Sequence, residues 1–289
     1  MKLALGTAQF GMQYGIANQN SSLDIEEISE ILRYAKKNDI DTLDTAIHYG
    51  QAERRLGLIG VEDWKIITKL HSSNLNENDP LGWAEKQIET SLENLKIQTL
   101  AAVLIHDGQI LQHKFGALIW KKLNQLKEQG LIASLGLSIY QPSELDDLYK
   151  HFDFDIVQAP LNVFDRRVEE TGWMRTIKED KKEFHARSIF LQGLLLMQPS
   201  SRPEKFKKWQ NLWEKWENWL EANNTNALEA SLNSSINKSE IDKLIVGIDS
   251  FEHLKEIISI LSSSYPIEFP IDLASNDELL INPSNWDFI

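Results

Sequence analysis

The sequence predicts an α/β protein, a single (β/α)8 TIM barrel spanning residues 1–289. Three observations predict it. Short apolar strands alternate with amphipathic helices, and alternation of this kind builds a parallel sheet. Eight strand–helix units fit between Leu3 and Leu261, a number that favours a closed barrel over an open sheet. The chain has 289 residues, 42% of them hydrophobic and 25% charged. That suits one barrel-sized domain better than two small ones, and it is long enough to bury most of the surface its unfolded form exposes.

The elements follow in order. Leu3–Gly6 is the first strand. Asp24 and Glu27 form a capping-box pair ahead of a helix over Ile25–Lys37, whose Ile28, Ile31, Leu32 and Ala35 share one face. Thr42–Asp44 is the second strand, Ala52–Leu58 a short helix, and Lys65–Lys69 the third strand. The polar stretch Leu70–Pro80 reads as a surface loop, and Gly82–Leu95 as a helix with Ile88, Leu92 and Leu95 at helical spacing. Leu100–Ile105 reads LAAVLI, the continuous apolar run expected of a parallel strand buried on both faces. A helix over Phe115–Lys127 leads to the fifth strand, Ser134–Ser138, and Pro142 opens the next helix near its first turn. Ile156–Ala159 is the sixth strand, Val168–Lys178 a helix, and Phe184–Ser188 the seventh strand. A long helix over Glu204–Glu221 follows, then the eighth strand Leu244–Gly247 and a last helix over Glu252–Leu261. The Asn- and Ser-rich stretch Asn223–Lys238 reads as a helix interrupted by loops. Trp209, Trp213, Trp216 and Trp219 recur at helical spacing. They read as the buried stripe of the seventh helix, with an aromatic wall of a substrate cleft as the alternative.

Composition removes several classes of function. The chain has no cysteine, which excludes disulfides, cysteine zinc sites and cysteine nucleophiles and suits a reducing cytoplasm. The net charge is −13 and no Lys/Arg stripe extends beyond Lys205, Lys207 and Lys208, so no nucleic-acid partner is expected. An anionic ligand is still allowed, because backbone donors bind phosphate locally against a global field. The opening MKLALGTAQFG is too short an apolar run for a signal peptide, and no run approaches the ~18 residues of a membrane span. The expectation is a cytoplasmic protein with neither a metal nor a membrane site.

Barrel active sites lie at the C-terminal ends of the strands. The polar residues there are Asp44 on strand two, with His48 and Tyr49 in its loop; Lys69 on strand three; His106 and Asp107 after strand four; Ser138 on strand five; Gln158 on strand six; and Arg187 and Ser188 on strand seven. Each alone has an ordinary structural explanation as a cap, a turn residue or a packed ring. Together they match carbonyl reduction. Hydride delivery to a carbonyl leaves an alkoxide that needs a proton. A tyrosine of pKa about 10 is a reluctant donor, and a nearby ammonium brings that pKa down. The roles expected are Tyr49 as proton donor, Lys69 as its tuner, Asp44 as orienter of Lys69, and His106 as a neutral donor to the substrate oxygen. A Schiff-base aldolase using Lys69 is the competing chemistry, but Asp44 beside that amine would keep it protonated and weakly nucleophilic.

The stretch LDTAIHYGQAERRLG (Leu43–Gly57) resembles the signature of the aldo-keto reductases, in which an Asp on strand two precedes the catalytic Tyr by five residues. ITKL and VLIHD place Lys69 and His106 where that family has its lysine and histidine. The likeness continues through LGTAQFG, SLGLS, IVQAPLN, FLQGLL and LIVG, nearly the whole chain. It implies an NAD(P)H-dependent oxidoreductase that reduces a small aldehyde or ketone, a sugar-derived carbonyl being one class suggested. It implies NADP(H) as cofactor, with NAD(H) as the other choice. It also implies that Ser138 and Gln158 hold the nicotinamide carboxamide. The segments carrying Arg187, Ser188, Phe190, Gln192 and Gly193 and then Gly247, Asp249 and Ser250 would hold the rest of the cofactor, in keeping with phosphate binding by the loops after strands seven and eight. No Rossmann glycine motif is present, and a barrel reductase needs none.

The chain departs from the family pattern at four places. Ile139 stands where Asn is usual, Arg187 where an aromatic ring often stacks on the nicotinamide, and Asp249 at or beside the usual basic clamp for a 2′-phosphate. The sequence also starts almost directly at strand one, without the hairpin that plugs the barrel bottom in many relatives, so another closure is expected. A non-catalytic, nicotinamide-binding redox-sensing subunit is the alternative function, and the intact set of four argues against it. The oligomeric state is left open.

Overall fold

The computed structural model describes residues 1–17 and 23–289. Eight parallel strands close into a barrel in sequence order: β1 (Leu3–Gly6), β2 (Thr42–Asp44), β3 (Lys65–Leu70), β4 (Leu100–Ile105), β5 (Ile132–Ser138), β6 (Ile156–Pro160), β7 (Glu183–Arg187) and β8 (Lys243–Gly247). The main helices are α1 (Ile25–Lys37), α2 (Ala52–Ile59), α3 (Pro80–Leu95), α4 (Gly116–Glu128), α5 (Leu145–His151), α6 (Trp173–Glu179), α7 (Gln210–Ala222), α8 (Ala227–Ile236) and α9 (Phe251–Ser262). The predicted barrel is therefore the observed one.

Alternation along each strand builds two cores. Leu5, Leu43, Ile66, Val103, Leu135, Val157, Phe184 and Val246 belong to the large core shared with the helices. Ile67, Ala102, Leu104 and Ile156 form a separate cluster; they sit at the alternate positions of β3, β4 and β6, which face the barrel interior. Strands with apolar residues on both faces have no wet side, which explains the unbroken LAAVLI run. The α1 capping box forms as expected, with Glu27 N–H donating to Asp24 Oδ1 at 2.8 Å and Asp24 N–H to Glu27 Oε2 at 3.0 Å; such a cap is worth about 1 kcal/mol.

Three local expectations change. The helix expected over Val168–Lys178 is split into Arg167–Glu170 and α6, because Gly172 takes a left-handed φ of +82° between them. The helix expected over Glu204–Glu221 begins as a 3-10 segment, Glu204–Trp209, before α7. The Asn/Ser stretch holds an unbroken helix, α8. Asn226 caps it by accepting from Glu229 N–H at 2.8 Å, while Ser231, Asn233 and Ser235 are buried along it. Polar composition there serves a cap and a tightly packed face rather than a break.

The tryptophan stripe is core. Trp213 and Trp216 are fully buried in a second cluster with Phe164, Phe206, Leu280 and Trp286, under the C-terminal segment. None of the four lines the cavity at the strand ends. At the opposite rim Asp41 bridges Lys65 of β3 at 2.7 Å and Lys243 of β8 at 3.0 Å. No helix among the described residues is long and apolar enough to cross a membrane.

Candidate active site

Strand register gathers the polar residues at one rim. Gly6 pairs with Asp44 and with Gly247, Lys69 with Leu104, Ser138 with Gln158, and Pro160 with Arg187. Asp44 and Lys69 are 3% and 1% exposed, so their charges have been taken out of water and must satisfy one another. Lys69 Nζ donates to Asp44 Oδ1 and, at 2.9 Å, to the Thr45 carbonyl. Gln158 Nε2 reaches across the barrel to donate to Asp44 Oδ2 at 2.8 Å, and Ser138 Oγ donates to Gln158 Oε1 at 3.3 Å. Burial draws the Lys69 ammonium below its ordinary value against the opposing pull of Asp44, and Arg187 adds to the lowering.

Tyr49 sits in a turn shaped by glycines. Its N–H donates to the Ala46 carbonyl at 3.0 Å, and Gly50 follows with φ +57°. Gly11, from the short helix Ala8–Gly11, approaches so closely that a Cβ on it would lie 1.8 Å from the Tyr49 carbonyl oxygen. The LGTAQFG and HYG segments are thus two halves of one contact. Lys69 Nζ lies 5.3 Å from the Tyr49 ring centre, and the His106 ring meets Tyr49 edge-on at 6.2 Å. Burial and then Asp44 push the Tyr49 phenol above its ordinary pKa, with Arg187 opposing them. This departs from the expectation that Lys69 lowers it: with Asp44 against the ammonium the pair is close to neutral, and burial prevails.

His106 follows β4, its N–H bonded to the Leu70 carbonyl at 2.8 Å. Burial first, then the cations Lys69 and Arg187, bring its pKa down to about 2, so the imidazole is neutral at any working pH. Its Nδ1 is buried without a hydrogen-bond partner among the described residues. Arg187, at the end of β7, donates to the Ile139 carbonyl at 2.8 Å and to Ser188 Oγ at 3.1 Å, and its guanidinium lies 4.7 Å from the Tyr140 ring centre. Two departures from the family pattern, at 139 and 187, therefore meet.

These groups open onto a cavity of about 360 Å³. Asp44, Tyr49, Lys69, His106, Arg187, Ser188, Phe190, Gln192, Gly193, Gly247 and Asp249 all line it. The structure does not bring Ser138, Gln158 or Ser250 to its wall. The first two have no exposed surface and sit behind Asp44, and Ser250 Oγ caps α9 by accepting from His253 N–H at 3.1 Å. Beyond β7 the backbone turns left-handed at Ser188, Leu191, Gln192 and Gly193. Non-glycine residues held this way cost on the order of 1–3 kcal/mol each and cluster at functional sites. Gly193 also packs where a Cβ would lie 2.6 Å from Ala17.

At the far end His253 Nδ1 and Asp249 Oδ1 are 2.8 Å apart, and that hydrogen bond holds the Asp249 carboxyl below the usual carboxylate range. Sequence reasoning missed Gln9, Tyr14, Tyr140 and His253, all on the cavity wall. Gln9 was reachable, since it follows β1 at the same rim. His253 stands four residues after Asp249 on a helix, a spacing that pairs side chains. Tyr14 and Tyr140 carry no local signal. Gly247 leaves room for the Gln9 amide, a Cβ on it falling 2.8 Å from Gln9 Nε2. Gln9 Oε1 is buried without a partner among the described residues.

Known proteins share this architecture. The holo form of an aldo-keto reductase from Bacillus halodurans superposes with a TM-score of 0.73 at 20% identity, covering 92% of this chain and 88% of that one. A protein of Pseudomonas aeruginosa described as an aldo-keto reductase superposes with a TM-score of 0.67 at 21% identity, covering 91% and 90%. At such identities the likeness is one of fold. A search of curated protein sequences gave no match. The sequence model of the Aldo/keto reductase family matches residues 2–272. With that match spanning nearly the whole chain, and the barrel and its rim already on view, this chain belongs to the aldo/keto reductase family, whose members are oxidoreductases using nicotinamide cofactors.

Proposed function

We propose that this protein reduces a small aldehyde or ketone to the alcohol with a nicotinamide cofactor, using Tyr49 as proton donor. The observation that carries the reading is the convergence, on one cavity, of a protonated phenol, a neutral imidazole and a buried ammonium–carboxylate pair. His106 donates a hydrogen bond to the carbonyl oxygen and orients it. Tyr49 gives its proton to the oxygen as the C–O π pair becomes a lone pair, and solvent later reprotonates the phenolate. Lys69 holds the charge that the phenolate leaves behind, and Asp44, gripped by Gln158, keeps Lys69 in place. A bound reduced nicotinamide supplies the hydride.

The donor set fits such a cofactor. Gln9 Oε1 is a buried acceptor on the cavity wall with no partner among the described residues. Left-handed residues after β7, namely Ser188, Gln192 and Gly193, line the cavity, a conformation of the kind that builds anion-binding nests, and the 12-residue helix α9 starts beside Asp249. The family favours NADP(H). Asp249 works against a strong preference for it, since an ionised carboxylate repels a 2′-phosphate and can accept from a ribose hydroxyl. NAD(H) is therefore a comparable partner in this reading. The substrate is a small carbonyl compound, with sugar-derived aldehydes the class to try first, and the reducing cytoplasm suits the chain's lack of cysteine. A purely sensing role would not need the proton-donor geometry. Consumption of reduced cofactor with a panel of aldehydes and ketones tests the proposal. Activity above background that Tyr49→Phe removes is the expected outcome, and cofactor binding with no turnover on any of them would favour the sensor.

A further inference from the structure

We propose that Arg187 sets the redox preference of the nucleotide site, so that the protein holds reduced nicotinamide more tightly than oxidised nicotinamide. This rests on reading the cavity as a nicotinamide site.

Charge at the mouth is unevenly matched. Lys69 is matched by Asp44, and His106 is neutral. Of the other nearby carboxylates, Glu144 and Asp107 do not line the cavity, and Asp249 lines its far end against His253 Nδ1 at 2.8 Å. Glu144 accepts from the N–H groups of Tyr140 and Gln141 at 2.7 and 2.8 Å, and Asp107 from Ser72 Oγ at 2.9 Å and Gln109 N–H at 3.0 Å. Arg187 makes its hydrogen bonds to neutral oxygens, those of Ile139 and Ser188, and no ion pair to it occurs among the described residues. Arg187 is thus the cation beside Tyr49, Lys69 and His106 that lacks an oppositely charged partner among the described residues. It is not free to swing toward a carboxylate, because the Ile139 carbonyl holds one edge of the guanidinium and the Tyr140 ring lies against it. Its field reaches Tyr49, Lys69 and His106 alike, so it reaches any ring placed to react beside them.

The oxidised nicotinamide ring is cationic and the reduced ring is neutral, while the phosphates and adenosine are the same in both. A ratio of the two affinities therefore isolates the ring. Two unit charges at ~6 Å with an effective dielectric of about 20 disfavour the oxidised form by roughly a hundredfold, and solvent at an open mouth screens this toward about tenfold. An aromatic residue in the same place would impose no such bias. The protein would then start its cycle in the reductive direction and release the spent cofactor readily.

Tryptophan-fluorescence titrations of the purified protein with reduced and with oxidised cofactor, without substrate, measure this ratio directly. The wild type should bind the reduced form about tenfold or more tightly than the oxidised one. Arg187→Met should bring the two within about threefold, chiefly by tightening the oxidised form, and Arg187→Lys should retain part of the bias. If Arg187→Met misfolds by circular dichroism, Arg187→Gln takes its place. Equal binding of both forms by the wild type, or a ratio that survives loss of the guanidinium, overturns the proposal while leaving the nucleotide site intact. Binding of neither form by the wild type overturns the nucleotide site, and this proposal with it.

Discussion

Replacing Asp44 by Asn removes one charge from a pair that has almost no contact with water. Lys69 would keep its bond to the Thr45 carbonyl and lose its counter-ion, at 1% exposure. Breaking a buried pair from one side costs about 3–5 kcal/mol, a large part of the 5–15 kcal/mol typical of a folded domain. The loss should depend on pH. Burial already holds the Lys69 pKa below its ordinary value with Asp44 opposing, and without Asp44 the folded-state value falls further. The unfolded chain keeps its lysine proton up to about pH 10.4. Between the two values the unfolded state binds more protons than the folded state, so stability rises with pH there. Urea unfolding followed by tryptophan fluorescence should therefore show Asp44→Asn weakened by several kcal/mol at pH 7 and recovering toward pH 10, relative to wild type. Asp44→Asn combined with Lys69→Met should lose less than Asp44→Asn alone, because no unpaired charge remains. A loss below about 1 kcal/mol with the wild-type pH slope would refute the buried-pair reasoning.

Tyr49→Phe should reduce turnover at least about 100-fold while leaving cofactor affinity within a few-fold, as loss of a general acid does; activity close to wild type would remove Tyr49 from the chemistry. His106 is neutral from about pH 2 upward, so it should add no limb to the rate profile between about pH 5 and 8. Because its folded pKa lies below the unfolded value of about 6.5, its contribution to stability should fall as pH drops below about 6.5. His106→Gln should lessen that acid loss, and an unchanged acid slope would count against it. Titration with NADPH and NADH should give affinities within about tenfold of each other, because Asp249 offsets the gain from a 2′-phosphate; roughly hundredfold tighter NADPH would show that Asp249 faces away from the nucleotide.

The features legible in the sequence are local or periodic. Apolar strands two to seven led into polar residues, and closure in sequence order put Asp44, Lys69, His106 and Arg187 on one rim, with Tyr49 in the turn after Asp44. Strand ends are readable because the alternation that buries a strand stops where the chain leaves the barrel. The remaining features depend on contacts between residues distant in the chain. Gln158 grips Asp44 from 114 positions away, which puts that amide behind the charged pair instead of on the cavity wall. Burial, with Asp44 adding to it, reverses the expected shift of the Tyr49 phenol, because desolvation and the neighbours of a charge are set by packing and not by place in the chain. The left-handed run after β7 and the burial of the tryptophan stripe follow from packing against Ala17 and the C-terminal segment. The lack of an ion pair to Arg187 among the described residues is the extreme case: whether a cation has a counter-ion depends on everything that surrounds it, and no stretch of sequence carries that information.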